Sequence, residues 1–132
     1  MTIIVKIKIG IDPGVNTGLA IYNRKVKRLD MVTTIGIIRS MEIVLKWHQL
    51  NPSLVHVYME DARQRKWFGD KKKGGDITGK EQGAGSIKRD CGIWQEFFEL
   101  HNIPHTMRPP GKGMTKIRED IFKRITGWSK RT

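Results

Sequence analysis

Cysteine and acidic residues are scarce in this chain. Cys91 is the one cysteine among 132 residues, which excludes an internal disulfide and suits a reducing compartment. Asp and Glu together number 13 against 25 Lys and Arg, so the formal net charge is +12 at pH 7. Such an excess of positive charge favours a polyanionic partner, and nucleic acid is the leading candidate.

The sequence also lacks a long apolar run. No stretch approaches the roughly 18 residues that a membrane-spanning helix needs, and the start has no small-residue cleavage site. We therefore expect no membrane span and no signal peptide, and a cytoplasmic protein. With 132 residues and no internal repeat, the chain is long enough for one core and too short for two ordinary domains, so we expect a single domain over residues 1–132.

Periodicity predicts an α/β protein. Alternating apolar residues predict three strands at about 3–11, 18–23 and 26–34, arranged as an antiparallel meander. A helical period follows over residues 36–50, and a β-rich run at 54–59 is expected to lie parallel to the first strand because a helix separates them. A helix at 86–101, a strand at 103–107 and a helix at 114–126 complete a mixed sheet flanked by helices.

Residues 63–85 are rich in glycine and basic residues and cannot build a core of their own, so we predict a long solvated loop. Its cations, which we expect to contact phosphates, are Arg63, Arg65, Lys66, Lys71, Lys72 and Lys73. Trp67 and Phe68 lie among them and could stack on unpaired bases. The alternatives are a solvated charged surface and a small apolar cluster beneath a loop.

The strongest local signal is the segment IGIDPGVNTG at residues 9–18. A hydrophobic strand delivers Asp12 to its end, where the carboxylate can hold a hard divalent cation. The following turn contains Gly14, Thr17 and Gly18, and we expect the two glycines to permit positive φ and a close approach of phosphate to the backbone. The alternative is an Asp that merely forms a turn before Pro13.

This segment resembles the opening motif of the RuvC family of Holliday-junction resolvases, which has a hydrophobic strand, Asp-Pro-Gly, a spacer and Thr-Gly. Residues 54–60 (LVHVYME) look like the family's second acidic strand, and residues 83–90 (GAGSIKRD) look like the start of its following helix. Lys112, Gly113 and Lys116 sit where the family has a basic, DNA-binding segment. Residues 125–132 resemble the approach to the last helix of small phage-type members.

The resemblance implies a ribonuclease-H-like fold and a homodimer in which each subunit cuts one strand of a four-way junction. It also implies two Mg²⁺ or Mn²⁺ ions at four acidic positions, which activate the attacking water and stabilise the leaving 3′ oxygen. We assign Asp12 as the bridging ligand and Glu60 as the second, with Asp61 and Asp90 as alternatives. A phage-encoded member would act in the bacterial host cytoplasm.

The sequence departs from the family at its end. The remaining acidic ligands normally lie on a last helix, where a His or Asp precedes an Asp by three residues, and no later acid here has that spacing. We therefore expect a RuvC-like domain that lacks its last helix and cuts weakly.

Three other functions remain open. Asp-x-Gly followed by Thr-Gly also resembles the phosphate loop of actin-like ATPases and sugar kinases, although 132 residues are too few for their two domains. A non-catalytic module could bind branched DNA by charge and shape alone. A less selective nuclease could trim Y-forks and other branched intermediates.

Overall fold

Five strands form one mixed sheet in the computed structural model, which describes residues 5–64 and 78–110, with only the backbone described for 78–84. They are β1 (Ile7–Asp12), β2 (Asn16–Asn23), β3 (Arg28–Gly36), β4 (Val55–Glu60) and β5 (His105–Arg108). Their order across the sheet is β3-β2-β1-β4-β5. β1, β2 and β3 pair antiparallel, whereas β4 is parallel to β1 and β5 is parallel to β4. The predicted meander followed by parallel strands is confirmed.

Two helices connect these strands. The first, α1 (Ile37–Leu50), begins one residue after the predicted start and ends at the predicted residue. Asn51 caps it, because its backbone N–H and its side-chain amide both donate to the carbonyl of Trp47. The second, α2 (Thr78–Leu100), begins eight residues earlier than predicted. Good helix formers at 80–82 and 84 extend it through a segment in which the glycines had suggested a loop, since glycine lowers helix propensity without abolishing it.

The first two residues of the predicted loop belong to a short 3-10 helix, Ala62–Gln64. Residues 65–77 of that loop lie outside the described part of the chain. The predicted last helix at 114–126 also lies outside it. Within the described residues, no helix combines the length and apolar character that crossing a bilayer requires.

The core lies on one face of the sheet. Alternate residues of β1 are buried there, namely Ile7, Ile9 and Ile11, and their neighbours on β2 and β4 follow the same period of two. Both helices cover this core face, α1 with Val44 and α2 with Trp94 and Phe98, which are fully buried. Trp94 and Phe98 therefore belong to the core of this chain. The intervening residues of each strand point to the second face of the sheet.

Truncating an apolar side chain should therefore lower the free energy of unfolding more when that side chain is buried than when it is exposed. We expect Ile9→Ala to lower the free energy of unfolding by about 2–5 kcal/mol, because Ile9 is fully buried in the central strand. Ile38→Ala is the matched control: that side chain is 71% exposed on α1, and we expect a change within about 0.5 kcal/mol. Urea denaturation measures both, and equal losses would contradict the assignment of β1 to the core.

Candidate active site

Two carboxylates end neighbouring parallel strands. Asp12 is the last residue of β1 and Glu60 the last of β4, and the preceding residues Ile11 and Met59 are partners in the register. Ile11 and Met59 are buried in the core, so the next residue of each strand faces the other way, and both carboxylates are exposed. Since adjacent strands lie about 4.8 Å apart, the two acids sit side by side. We call Asp12 and Glu60 the carboxylate pair.

Gly18 makes room for Asp12. The two residues are partners across β1 and β2, and a Cβ atom at Gly18 would lie 3.1 Å from the Cβ of Asp12. The expectation of a positive φ at Gly18 is wrong, because Gly18 lies inside strand β2 and, of the described glycines, Gly14 alone has a positive φ, at 159°. Glycine at position 18 instead avoids a tight contact with the Cβ of Asp12.

Thr17 closes the turn between β1 and β2. Its side chain is fully buried, and its hydroxyl donates a 2.9 Å hydrogen bond to the carbonyl of Gly14. β2 begins at Asn16, so the turn is shorter than the sequence suggested. The contribution of Thr17 is to hold the turn that follows Asp12, since its hydroxyl is already committed to Gly14.

Asp61 lies on the core side of the sheet, away from the carboxylate pair. Its buried carboxylate accepts hydrogen bonds from the backbone N–H of Arg63 at 3.0 Å, from Nε at 2.8 Å and from Nη2 at 2.9 Å. Gln64 adds a fourth donor. The Arg63 guanidinium, helped by these hydrogen bonds and opposed by burial, holds the pKa of Asp61 below its ordinary value. The structure therefore gives Asp61 the partners of a structural ion pair.

Arg63 is one of the cations for which the sequence suggested a DNA contact. Its guanidinium binds Asp61 and also donates to the side-chain carbonyl of Gln95 on α2. Hydrogen bonding to Asp61 raises the pKa of Arg63 further above its ordinary value. These contacts tie the 3-10 helix to α2 and engage Nε and Nη2 of the guanidinium.

Asp90 lies on α2, and it does not form a three-membered metal-binding group with Asp12 and Glu60. It is 4% exposed, and Nε of Arg89 lies 4.0 Å from one of its carboxylate oxygens. The adjacent thiol of Cys91 is 3.8 Å from the backbone carbonyl of Glu60, so this turn of α2 packs against the end of β4. Burial raises the pKa of the Cys91 thiol, which fits a packing role. Across residues 5–64 and 78–110, no three acidic, His or Cys side chains form a metal-binding group.

The second face also carries a cluster that the sequence analysis missed. Lys8 and Arg108 both lie over the Tyr58 ring, with the Lys8 Nζ 5.5 Å and the Arg108 Cζ 5.2 Å from its centroid. The His56 ring is 4.7 Å from Tyr58, and its Nε2 is 2.7 Å from the Thr106 hydroxyl. We call these five residues the Tyr58 cluster. Lys8 and Asp12 are four residues apart on β1, so strand alternation alone predicts that they share a face of the sheet. Nothing in the sequence linked Lys8 to Arg108.

The other predicted DNA-binding residues lie outside the described part of the chain. They are Arg65, Lys66, Trp67, Phe68, Lys71, Lys72, Lys73, Lys112 and Lys116. Their assignment stays a prediction.

Comparison with known proteins adds no identification. No protein-family model matches the chain, and no curated protein matches it significantly. The functional interpretation consequently depends on the arrangement of side chains described above and on the motif at residues 9–18.

The crowding at Gly18 predicts a contrast between two glycines of the second face. Gly18→Ala should destabilise the fold by about 1–3 kcal/mol, because the new Cβ meets the Asp12 Cβ, which only a backbone shift can move. Gly10→Ala, the matched control in the paired strand, should be neutral or gain up to about 1 kcal/mol, since no described atom lies within 4 Å of its Cβ position. Urea denaturation tests the contrast, and equal effects would contradict it.

The ion pair of Asp61 predicts a pH-dependent loss of stability. Asp61→Asn should lower the free energy of unfolding by about 1.5–3 kcal/mol at pH 7, because the buried partners of the carboxylate lose a charged acceptor. The pKa of Asp61 is lowered in the folded state, so its stabilisation is present above the unfolded value of about 3.9 and disappears as the pH falls through the lowered value.

Urea denaturation between pH 7 and pH 2.5 measures this dependence. The difference between the wild type and Asp61→Asn should shrink below about pH 4. Asp30→Asn provides the control, because Asp30 is exposed on β3 and its loss should change stability by less than about 0.5 kcal/mol. A difference that stays constant down to pH 2.5 would refute the role of the Asp61 charge.

Proposed function

We propose that this chain is a metal-dependent endodeoxyribonuclease of the RuvC type, with a ribonuclease-H-like fold, that cuts Holliday junctions and other branched DNA. The observation that carries the proposal is the placement of Asp12 and Glu60 side by side on one face at the ends of two parallel strands. The sheet supports the fold, since a three-stranded antiparallel meander followed by parallel strands is the mixed arrangement that the resemblance implies.

The carboxylate pair fits a hard divalent cation. Two exposed carboxylates on neighbouring strands provide the oxygen donors that Mg²⁺ prefers. Asp12 and Glu60 would hold the ions. Once bound, such ions would supply a metal-activated water and would stabilise the leaving 3′ oxygen of a phosphodiester.

The chain's own residues would orient the substrate around this pair. Gly18 keeps the side of Asp12 that faces β2 free of a side chain, and Gly10 has open space above it among the described residues. A phosphodiester can therefore approach the second face without meeting a bulky group beside Asp12. The hydroxyl of the buried Thr17 donates to the carbonyl of Gly14 and so holds the turn that follows Asp12.

A binding module without catalytic activity is the second candidate. It is favoured by the observation that the described residues place two acids, and no third, at this edge of the sheet. A net charge of +12 would give salt-dependent binding to DNA in either case, so affinity does not separate the two functions. Cleavage does.

We expect the chain to nick a synthetic four-way junction in the presence of Mg²⁺ or Mn²⁺ and to lose this activity when either carboxylate of the pair is neutralised. Asp12→Asn and Glu60→Gln should each lower the cleavage rate by about 100-fold or more, since each removes a direct metal ligand. Junction binding without metal should survive, because the phosphate contacts remain.

Two controls sharpen this experiment. Asp30→Asn removes an exposed carboxylate from the far edge strand and should cut at the wild-type rate. Asp61→Asn tests the alternative ligand: it should lose stability and keep cleavage at temperatures where it remains folded. Retained cutting by Asp12→Asn would refute the site, and binding without any cutting by the wild type would favour the binding module. Y-forks and linear duplexes, run beside the junction, measure selectivity.

A further inference from the structure

The Tyr58 cluster and the carboxylate pair share one face of the sheet. Glu60 is the register partner of Arg108 on β5, and Tyr58 is the partner of both Gly10 on β1 and Thr106 on β5. Successive residues on one face of a strand are about 6.6 Å apart, which places the Tyr58 ring one step behind Glu60. Lys8 reaches the same ring from β1. Arg108 therefore lies beside Glu60 in the register, and Lys8 lies at the ring one step farther from the carboxylate pair.

Neither cation is neutralised by a carboxylate of the described residues. Among the residues whose side chains the structure describes, 5–64 and 85–110, neither Lys8 nor Arg108 forms an ion pair, whereas Arg39 pairs with Glu42, Arg63 with Asp61 and Arg89 with Asp90. Lys8 and Arg108 instead meet the face of an aromatic ring, a contact that orients a cation while leaving its hydrogen-bond donors available. Such cations are ready to bind an anion.

His56 lies close to several basic groups of the sheet. The pKa of His56 is held below its ordinary value by burial first, and then by the charges of His105, Lys8 and Arg108. No described atom lies within 4 Å of the position that a Cβ of Gly10 would take, so the described residues leave open space above Gly10, next to Tyr58. An anion that enters here meets two cations that form no ion pair with the described residues.

We propose that Lys8 and Arg108 bind backbone phosphates of a nucleic-acid strand that crosses the second face of the sheet, and that the Tyr58 ring orients both cations for this contact. Lys binds phosphate as a point charge and Arg through a planar fork of donors, so the two together suit successive phosphates of one strand. Contacts of this kind position a strand without reading its sequence.

This inference rests on the proposed nuclease function, because it makes these phosphates the neighbours of the one that is cut. Arg108, in register with Glu60, would bind nearer to the carboxylate pair than Lys8. Together they would hold the strand in line with the two acids. Binding in the absence of metal isolates this role from catalysis.

The test is the affinity of Lys8→Gln and Arg108→Gln for a fluorescent four-way junction, measured in EDTA from 50 to 300 mM salt. Each variant should bind about five- to tenfold more weakly near 100 mM salt and should lower the slope of log affinity against log salt by about one. Lys46→Gln on α1 and Arg28→Gln at the start of β3 are charge-matched controls, since both residues are exposed and lie away from the cluster. They should bind within about twofold of the wild type.

Tyr58 has its own pair of variants. Tyr58→Phe keeps the ring and should bind as the wild type does, whereas Tyr58→Leu should weaken binding because the two cations lose their support. Urea denaturation of every variant excludes loss of the fold as the cause. Equal affinities for the Phe and Leu variants would overturn the orienting role of the ring.

The outcomes separate this inference from the proposed function. If Lys8→Gln and Arg108→Gln match their controls in affinity and salt slope while the wild type cuts junctions, the phosphate contacts are refuted and the nuclease stands. If both variants bind weakly as expected while the wild type never cuts, the nuclease is refuted and the phosphate contacts stand.

Discussion

The parallel pairing of β1 with β4 is the interaction on which the candidate site depends. Its register joins Ile7 to Val55, Ile9 to Val57 and Ile11 to Met59, so the buried residues of the two strands lie opposite each other. Burial of these side chains pins the register, because a slip of one residue would turn a whole strand over and expose its apolar set. The same register sets Asp12 beside Glu60. The apolar core thus determines where the exposed acids meet.

The alternation of strand residues also separates charges that are neighbours in sequence. Glu60 ends β4 on the second face, whereas Asp61, the next residue, is buried against Arg63 on the core side. One acid is left available for a ligand and the other stabilises the connection to α2. The second face also carries Arg108, in register with Glu60, and Lys8, at the Tyr58 ring. Carboxylates and cations on one face would suit a phosphodiester, which can bind through metal ions and through its own negative charge.

Much of the fold could be predicted from periodicity. The meander, α1 and the parallel β4 followed from apolar periods of two and 3.6, which report directly which side of an element is buried. The start of α2 could not be predicted in this way, because glycines suggested a loop where the helix continues. The role of Gly18 could not be predicted either. A glycine in a turn motif suggests a positive φ angle, whereas position 18 is constrained by the Cβ of Asp12 on the neighbouring strand.

The sequence by itself determined the elements, the positive charge and the position of Asp12 at a strand end, because each depends on local pattern or on simple counts. Only the tertiary structure placed Glu60 on the face of Asp12 and buried Asp61 against Arg63. Only it brought Lys8 and Arg108, which are 100 positions apart in the sequence, to the same Tyr58 ring. The physical reason is that pairing between distant strands, with its register and its two faces, brings side chains together across the sheet. No local pattern encodes that contact.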